Sequence, residues 1–321
     1  MNHNRYLDFS PYFRRPIASN NLHRRHNKYS LTCNCSWGTV PEGLNISLNR
    51  LKYKIVGGNE IDDSENYPMM AGLQLKESNC VICGATILTE FHALTAAHCI
   101  FGENVTNLQL AVGIRHNCRQ PNDGGQYLSL LEPAYVHEYY DEKSNNQDIA
   151  IVVTQERIIF RTTVGPTCIY PHPLSLTDNY IFLALGWGKL SEEEDASPEL
   201  VKVFLNSFDI EECKDKVPPE IMNDNWSLQM CTYTIKKDTC GGDSGGPLFI
   251  VDRAVNRLAQ VALISMGVGC ARVDEPGVNT ALYPYIGWMQ WTIENSMRTH
   301  YPEDYYKCGY NKICYSTDWT E

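Results

Sequence analysis

From Ile55 onward the apolar residues fall in short runs, at 69–75, 84–88, 108–112, 149–153, 180–185, 247–251 and 259–265, broken by Gly, Pro, Asn and Asp. Runs of that length, with turn residues typically every eight to twelve positions, predict short strands and an all-β sandwich or barrel. One late segment keeps a different period. Over 283–294, Ile286, Met289 and Ile293 share one face behind Pro284, which predicts a helix. Residues 1–54 show neither period. They form a polar, basic lead with Arg14-Arg15, Arg24-Arg25 and the Arg50/Lys52/Lys54 series, which reads as solvated chain. After Met297 the sequence turns aromatic and polar again, with a close Cys308/Cys314 pair. The chain therefore divides into an irregular basic segment (1–32), a linker (33–54), a β-rich globular domain (55–297) and a C-terminal extension (298–321).

Composition narrows the function classes. The 321 residues suffice for a large core, and 43% hydrophobic with 20% charged residues is a globular balance. No run of about 20 apolar residues exists, so no membrane helix is expected. A formal charge of −11 would repel phosphates, which argues against a nucleic-acid partner. The 13 cysteines lack paired metal-ligand spacing and so point to disulfides in an oxidising, extracellular compartment. Four Asn-x-Ser/Thr sequons, at Asn34, Asn45, Asn104 and Asn225, agree with a secreted glycoprotein. Residues 1–30 contain no continuous apolar core of a secretory leader, so the true start is expected upstream or the sequence is incomplete.

The candidate chemistry centres on Asp238-Thr239-Cys240-Gly241-Gly242-Asp243-Ser244-Gly245-Gly246-Pro247. A serine becomes a useful nucleophile only if a base takes its proton and fixed donors receive the charge on the attacked carbonyl oxygen. Glycines let backbone N–H groups converge on such a point. Among nine histidines, His98 stands between a β-like run and Cys99. Asp148 opens the apolar run Ile149-Ala150-Ile151-Val152, where a lone carboxylate would be costly without a partner. Taken singly, each of these residues also fits a structural role.

Six segments occur together in order: Ile55-Val56-Gly57-Gly58, Thr95-Ala96-Ala97-His98-Cys99, Asp148-Ile149-Ala150, Gly186-Trp187-Gly188, Gly242-Asp243-Ser244-Gly245-Gly246-Pro247 and Pro276-Gly277-Val278. Over residues 55–297 the chain thereby resembles the chymotrypsin/trypsin family of serine endopeptidases, the family from which the general description of the Ser-His-Asp triad is drawn. The resemblance implies an all-β fold of two packed six-stranded antiparallel β-barrels with a C-terminal helix and several disulfides. It implies His98 as general base, Asp148 as its orienter, Ser244 as nucleophile, and the N–H groups of Gly242 and Ser244 as oxyanion hole. A protonated His98 cannot accept the serine proton, so hydrolysis should fall in acid. Asp238 would form the floor of a pocket for Arg or Lys, with Thr239 beside it, Gly267 and Gly277 as open walls and Ser265 nearby, while Thr95 and Ser265 match hydroxyl positions near the triad Asp148. Lys54-Ile55 would be an activation site: cleavage frees an ammonium at Ile55 that pairs with buried Asp243, so residues 33–54 become a pro-segment. The implied partners are protein or peptide substrates, an upstream activating trypsin-like protease and protein protease inhibitors. No cofactor and no metal are implied, because the loop after Gly113 lacks the acidic pair of calcium-dependent relatives.

The same resemblance implies the pairs Cys83–Cys99, Cys213–Cys231 and Cys240–Cys270. It also suggests Cys80–Cys118, and Cys35–Cys168 as a tether for the lead. The Cys33-Asn34-Cys35-Ser36-Trp37 stretch resembles linkers of arthropod CUB-type serine proteases. One further family bridge is replaced by Phe182 and Ile250. Two positions depart from the pattern: Met266 stands in place of a tryptophan on the strand that meets substrate, and Asn279 in place of an aromatic at the back of the pocket. These departures keep an alternative open, a catalytically weak or inactive homologue that acts as a binding or cofactor protein.

Overall fold

The computed structural model describes residues 34–41, 44, 59–175, 179–189, 191, 193–222, 228–234, 239–267, 274–302 and 312–316. Cys33, Lys54, Ile55, Asp238, Cys270 and Cys308 lie outside the described residues. The first half of the chain forms β1 (Asn59–Glu60), β2 (Met70–Leu75), β3 (Val81–Ile87), β4 (His92–Thr95), β5 (Leu108–Val112), β6 (Gln126–Ser129), β7 (Tyr135–Val136) and β8 (Ala150–Val153). The second half forms β9 (Cys168–Ile169), β10 (Ile181–Gly186), β11 (Val201–Phe208), α1 (Ile210–Lys216), β12 (Gln229–Thr232), β13 (Pro247–Asp252), β14 (Arg257–Met266), β15 (Gly277–Ala281), α2 (Ile286–His300) and β16 (Cys314–Tyr315).

Strands β6-β5-β2-β3-β4-β8-β7 make one antiparallel sheet. It rolls until Leu130 and Thr154, just past β6 and β8, form a bridge, with Gln155 N–H donating to Ser129 O at 2.7 Å. In the other sheet β13, β10, β11, β12, β15 and β14 pair in turn and β14 returns to β13, so six strands close a barrel. The expected all-β architecture with a late helix is the one observed. Two differences concern helices. α2 runs on to His300, past the expected end at 294, because Ser296 and Met297 are buried beside Met289 and Ile293. α1 was not expected. Asp209 caps it by accepting from the N–H groups of Glu211 and Glu212, the sequence mark of a helix start.

Alternation along β8 shows how the layers share one strand. Ala150 and Val152 point into the first barrel beside Leu73, Ile87 and Leu110. Ile149 and Ile151 face the other way, onto Leu94, Leu263, Met289 and Ile293, so α2 clamps the strand that follows Asp148. Full burial of each of these valine, leucine, isoleucine and methionine side chains contributes about 1.5–3 kcal/mol. His92 adds a polar tie between β4 and α2: its Nδ1 lies 2.6 Å from Thr89 Oγ1 and its Nε2 2.6 Å from Ser296 Oγ. Phe182 and Ile250 are buried in one cluster inside the second barrel.

Four disulfides join described pairs: Cys35–Cys168, Cys80–Cys118, Cys83–Cys99 and Cys213–Cys231. Cys240 and Cys314 are also disulfide-bonded. The lead at Asn34–Pro41 lies against the domain. Trp37 covers Gly165, where an added Cβ would sit 2.0 Å from the indole, and Cys35 O accepts from Arg257 Nη1 at 2.8 Å.

Candidate active site

Antiparallel pairing of β4 with β8 sets Thr95 opposite Ala150. His98 lies three residues past Thr95 and Asp148 two before Ala150, so the register alone brings them together. His98 Nδ1 is 2.7 Å from Asp148 Oδ2, and the His98 backbone N–H donates to Oδ1 at 2.9 Å. A carboxylate facing Nδ1 holds the proton there and leaves the Nε2 lone pair available. The Asp148 side chain is fully buried while the imidazole is about a quarter exposed, at 0% and 25%. Burial of that carboxylate is tolerable because Ser265 Oγ supplies a third donor, to Oδ2 at 2.5 Å. The pairing of β14 with β15 shifts register between Ile264 and Met266, so Ser265 sits in a bulge that turns its hydroxyl toward Asp148. Thr280 Oγ1 donates to Asp148 O at 3.0 Å. Two side chains of the second barrel thus hold an acid that belongs to the first.

Ser244 arrives from the opposite side, on the turn before β13. Gly84 N–H, in β3, donates to Ser244 O at 2.8 Å. A Cβ on Gly84 would lie 2.7 Å from Gly246 Cα, so only glycine permits the two backbones to approach this closely. Cys99 Sγ is 3.7 Å from His98 Nε2 and 3.7 Å from Ser244 O, which places both residues against the Cys83–Cys99 disulfide. Thr95 Oγ1 donates to Gly84 O at 2.8 Å. Around Ser244 the backbone donors divide in two. The N–H groups of Asp243, Gly245 and Gly246 are bonded to Cys240 O, Ile264 O and Asp243 O, whereas those of Gly242 and Ser244 make no hydrogen bond among the described residues. Such donors can receive developing negative charge. Gly242 has φ +102° and Gly245 φ +76°, a region that favours glycine.

Asp243 is buried between Gly186 and Gly188. A Cβ on either glycine would come within 2.1 and 2.4 Å of its carboxyl, which gives the Gly-Trp-Gly motif a physical reason. Its Oδ1 accepts from Gly188 N–H at 2.8 Å and its Oδ2 from Cys240 N–H at 3.0 Å. Burial pushes this carboxyl up to about 6, against the pull of those two hydrogen bonds.

Comparison with known proteins agrees with this geometry. The family model described as Trypsin matches residues 55–289. The chain belongs to the trypsin family. It is 34% identical over 267 residues to "Venom serine protease 34" of Apis mellifera, covering 82% of this chain and 61% of that protein. It therefore spans about three fifths of that relative's length. It is 31% identical to "Venom serine protease" of Polistes dominula, covering 79% of this chain and 86% of that protein, and 32% identical to "Phenoloxidase-activating enzyme 1" of Spodoptera litura, covering 75% and 67%.

Of the residues expected to line a pocket, Asp238 lies outside the described residues, as do Lys54 and Ile55 of the expected activation site. Thr239 is half-buried, Gly267 is exposed at the end of β14, and Gly277 is buried at the start of β15. Met266 is half-buried against Ile210, Val217 and Val278. Asn279 is buried, and its Nδ2 donates to Met230 O at 3.3 Å and Thr232 Oγ1 at 3.2 Å, tying β15 to β12. The first departure is therefore accommodated in the cluster beneath α1 and the second between β12 and β15. Cys83, His98 and Cys99 place three potential ligand atoms within 4.8 Å, but both sulfurs belong to one disulfide and cannot act as thiolates toward a metal. What sequence reasoning did not identify were Thr280 and Gly84, whose partners lie more than one hundred residues away in the chain.

Proposed function

We propose that this protein is a secreted trypsin-like serine endopeptidase, made as a zymogen, activated by cleavage after Lys54 and hydrolysing peptide bonds after Arg or Lys. The observation that carries the reading is the buried Asp148 fixing His98 by two hydrogen bonds, with Ser244 packed against the same Cys83–Cys99 disulfide on a turn whose Gly242 and Ser244 N–H groups make no hydrogen bond among the described residues. Ser244 Oγ attacks the scissile carbonyl while His98 Nε2 takes its proton, and Asp148 stabilises the imidazolium that forms. The N–H groups of Gly242 and Ser244 receive the oxyanion, each donor supplying roughly 3–4 kcal/mol of transition-state stabilisation. His98 then returns the proton to the leaving amine, and water releases the acyl group by the same steps.

Asp238 selects the basic side chain, and the Ile55 ammonium freed by cleavage pairs with Asp243. Pairing removes the cost of an isolated buried carboxylate and orders the oxyanion turn. The partners that follow are protein substrates, an upstream activating protease of the same specificity and protein inhibitors. Names of relatives that include venom proteases and a phenoloxidase-activating enzyme support a role outside the cell, as do the disulfides. A cleavage-site profile of the Lys54-cut protein on a peptide library tests the reading. Cleavage confined to bonds after Arg and Lys, lost by a thousandfold or more in Asp238→Ser, is expected; indifference to the residue before the cut contradicts it. Uncut Lys54→Gln protein that hydrolyses Arg-peptides as fast as the cut form contradicts the zymogen.

A further inference from the structure

The sequons take no part in the chemistry at His98 and Ser244. Asn45 and Asn225 lie outside the described residues, but Asn104 and Asn34 do not, and their surroundings differ. Asn104 is exposed at the start of the short turn Val105–Asn107. Its Oδ1 accepts twice, from the Thr106 backbone N–H at 3.0 Å and from the Thr106 hydroxyl at 2.6 Å. Its Nδ2 makes no hydrogen bond among the described residues. The turn therefore uses one end of the side-chain amide and leaves the other to solvent.

We propose that Asn104 carries an N-linked oligosaccharide and that Asn34 stays bare. In the transfer, Asn104 Nδ2 bonds to C1 of an oligosaccharide carried on a polyprenyl pyrophosphate. The C1–O bond breaks with its electron pair left on the pyrophosphate, and Nδ2 gives up one proton. The product is a secondary amide whose Oδ1 is still a carbonyl acceptor, so both turn hydrogen bonds persist and the sugar leaves from the atom the fold does not use. The modified residue folds into the same turn as the bare one.

Asn34 has the opposite arrangement. Its Oδ1 accepts from Arg257 Nη1 at 2.7 Å, and Cys35, the middle residue of the sequon, is buried in its bond to Cys168. Ser36 is buried as well. Its hydroxyl accepts from Cys168 N–H at 2.9 Å, and its own N–H donates to Pro166 O at 2.8 Å. The hydroxyl that defines the sequon is withdrawn once Cys35 is oxidised.

The inference rests on the secreted reading of the chain. Its test uses the full chain, expressed behind a secretion leader in mammalian cells and collected from the medium. Peptides are treated with peptide N-glycosidase in heavy-oxygen water and mapped by mass spectrometry. Expected are conversion of Asn104 to heavy-labelled aspartate, none at Asn34, loss of the label in Thr106→Ala and its retention in Thr106→Ser. Asn104→Asp, which keeps an acceptor for the turn, should lose the sugar and hydrolyse small peptides within twofold of the unaltered protein. Secreted, peptide-hydrolysing protein without label at Asn104, or with label at Asn34, overturns the inference and leaves the proposed function standing. Labelled protein that hydrolyses no peptide after cleavage does the reverse.

Discussion

Asp148 has no solvent contact and relies on donors from three places: the His98 backbone, the His98 ring and the Ser265 hydroxyl. Hydrogen bonds to a charged group contribute about 1.5–3 kcal/mol each. Ser265→Ala should therefore lower kcat/KM by about tenfold with KM little changed, read in initial rates on an Arg-peptide; a change confined to KM would assign Ser265 to substrate binding instead. His92 is the buried histidine outside this site that can be read most directly. Burial holds it down at about 3, with the nearby His300 adding to the effect, so it remains neutral in the folded protein where an unfolded histidine takes a proton near 6.5. Its contribution to stability is present above about pH 6.5 and is lost as pH falls toward 3. By pH 5 it amounts to about 2 kcal/mol lost. His92→Gln should flatten the difference between urea midpoints at pH 7 and pH 5; an unchanged difference would show that other groups set the acid response.

Among the elements, the ones that place the site were legible in part. The apolar runs at 108–112 and 149–153 mark β5 and β8 almost to the residue, since β-branched and leucine side chains buried on both faces leave a continuous signature. Ile286, Met289 and Ile293 mark the start of α2 but not its extent, because Ser296 and Thr292 interrupt the apolar count while being buried through hydrogen bonding or packing. His98, Asp148 and Ser244 could be named from motifs. The ties between barrels could not be, because Thr280–Asp148 and Gly84–Ser244 join residues 132 and 160 positions apart, and nothing local to either residue announces its partner. Gly84 makes the sharpest test of that seam. Gly84→Ala sets a methyl against the backbone of Gly246, which no side-chain rotation relieves, and should cost about 2 kcal/mol of stability while lowering kcat. An alanine variant with unaltered melting and turnover would mean that the barrels separate without consequence for Ser244.

At the scale of the molecule, the candidate site draws His98 and Asp148 from the first barrel and Ser244 from the second, and the lead is fastened to the side of the domain through Cys35–Cys168, Trp37 and Arg257. That attachment lies at β9, where Cys314 pairs alongside Cys168. A cut after Lys54 should therefore leave residues 1–54 bound to the domain, so that cut protein runs as one band without reductant and as two with it. Release of the lead without reductant would contradict the tether. The central claim is that Ser244 becomes a nucleophile once the chain is cut. Active-site titration with a fluorophosphonate on the Lys54-cut protein measures this directly. The account predicts one probe per molecule, attached at Ser244, no labelling in Ser244→Ala or His98→Ala, and slow labelling of the uncut chain. Cut protein whose Ser244 takes up no probe would contradict it.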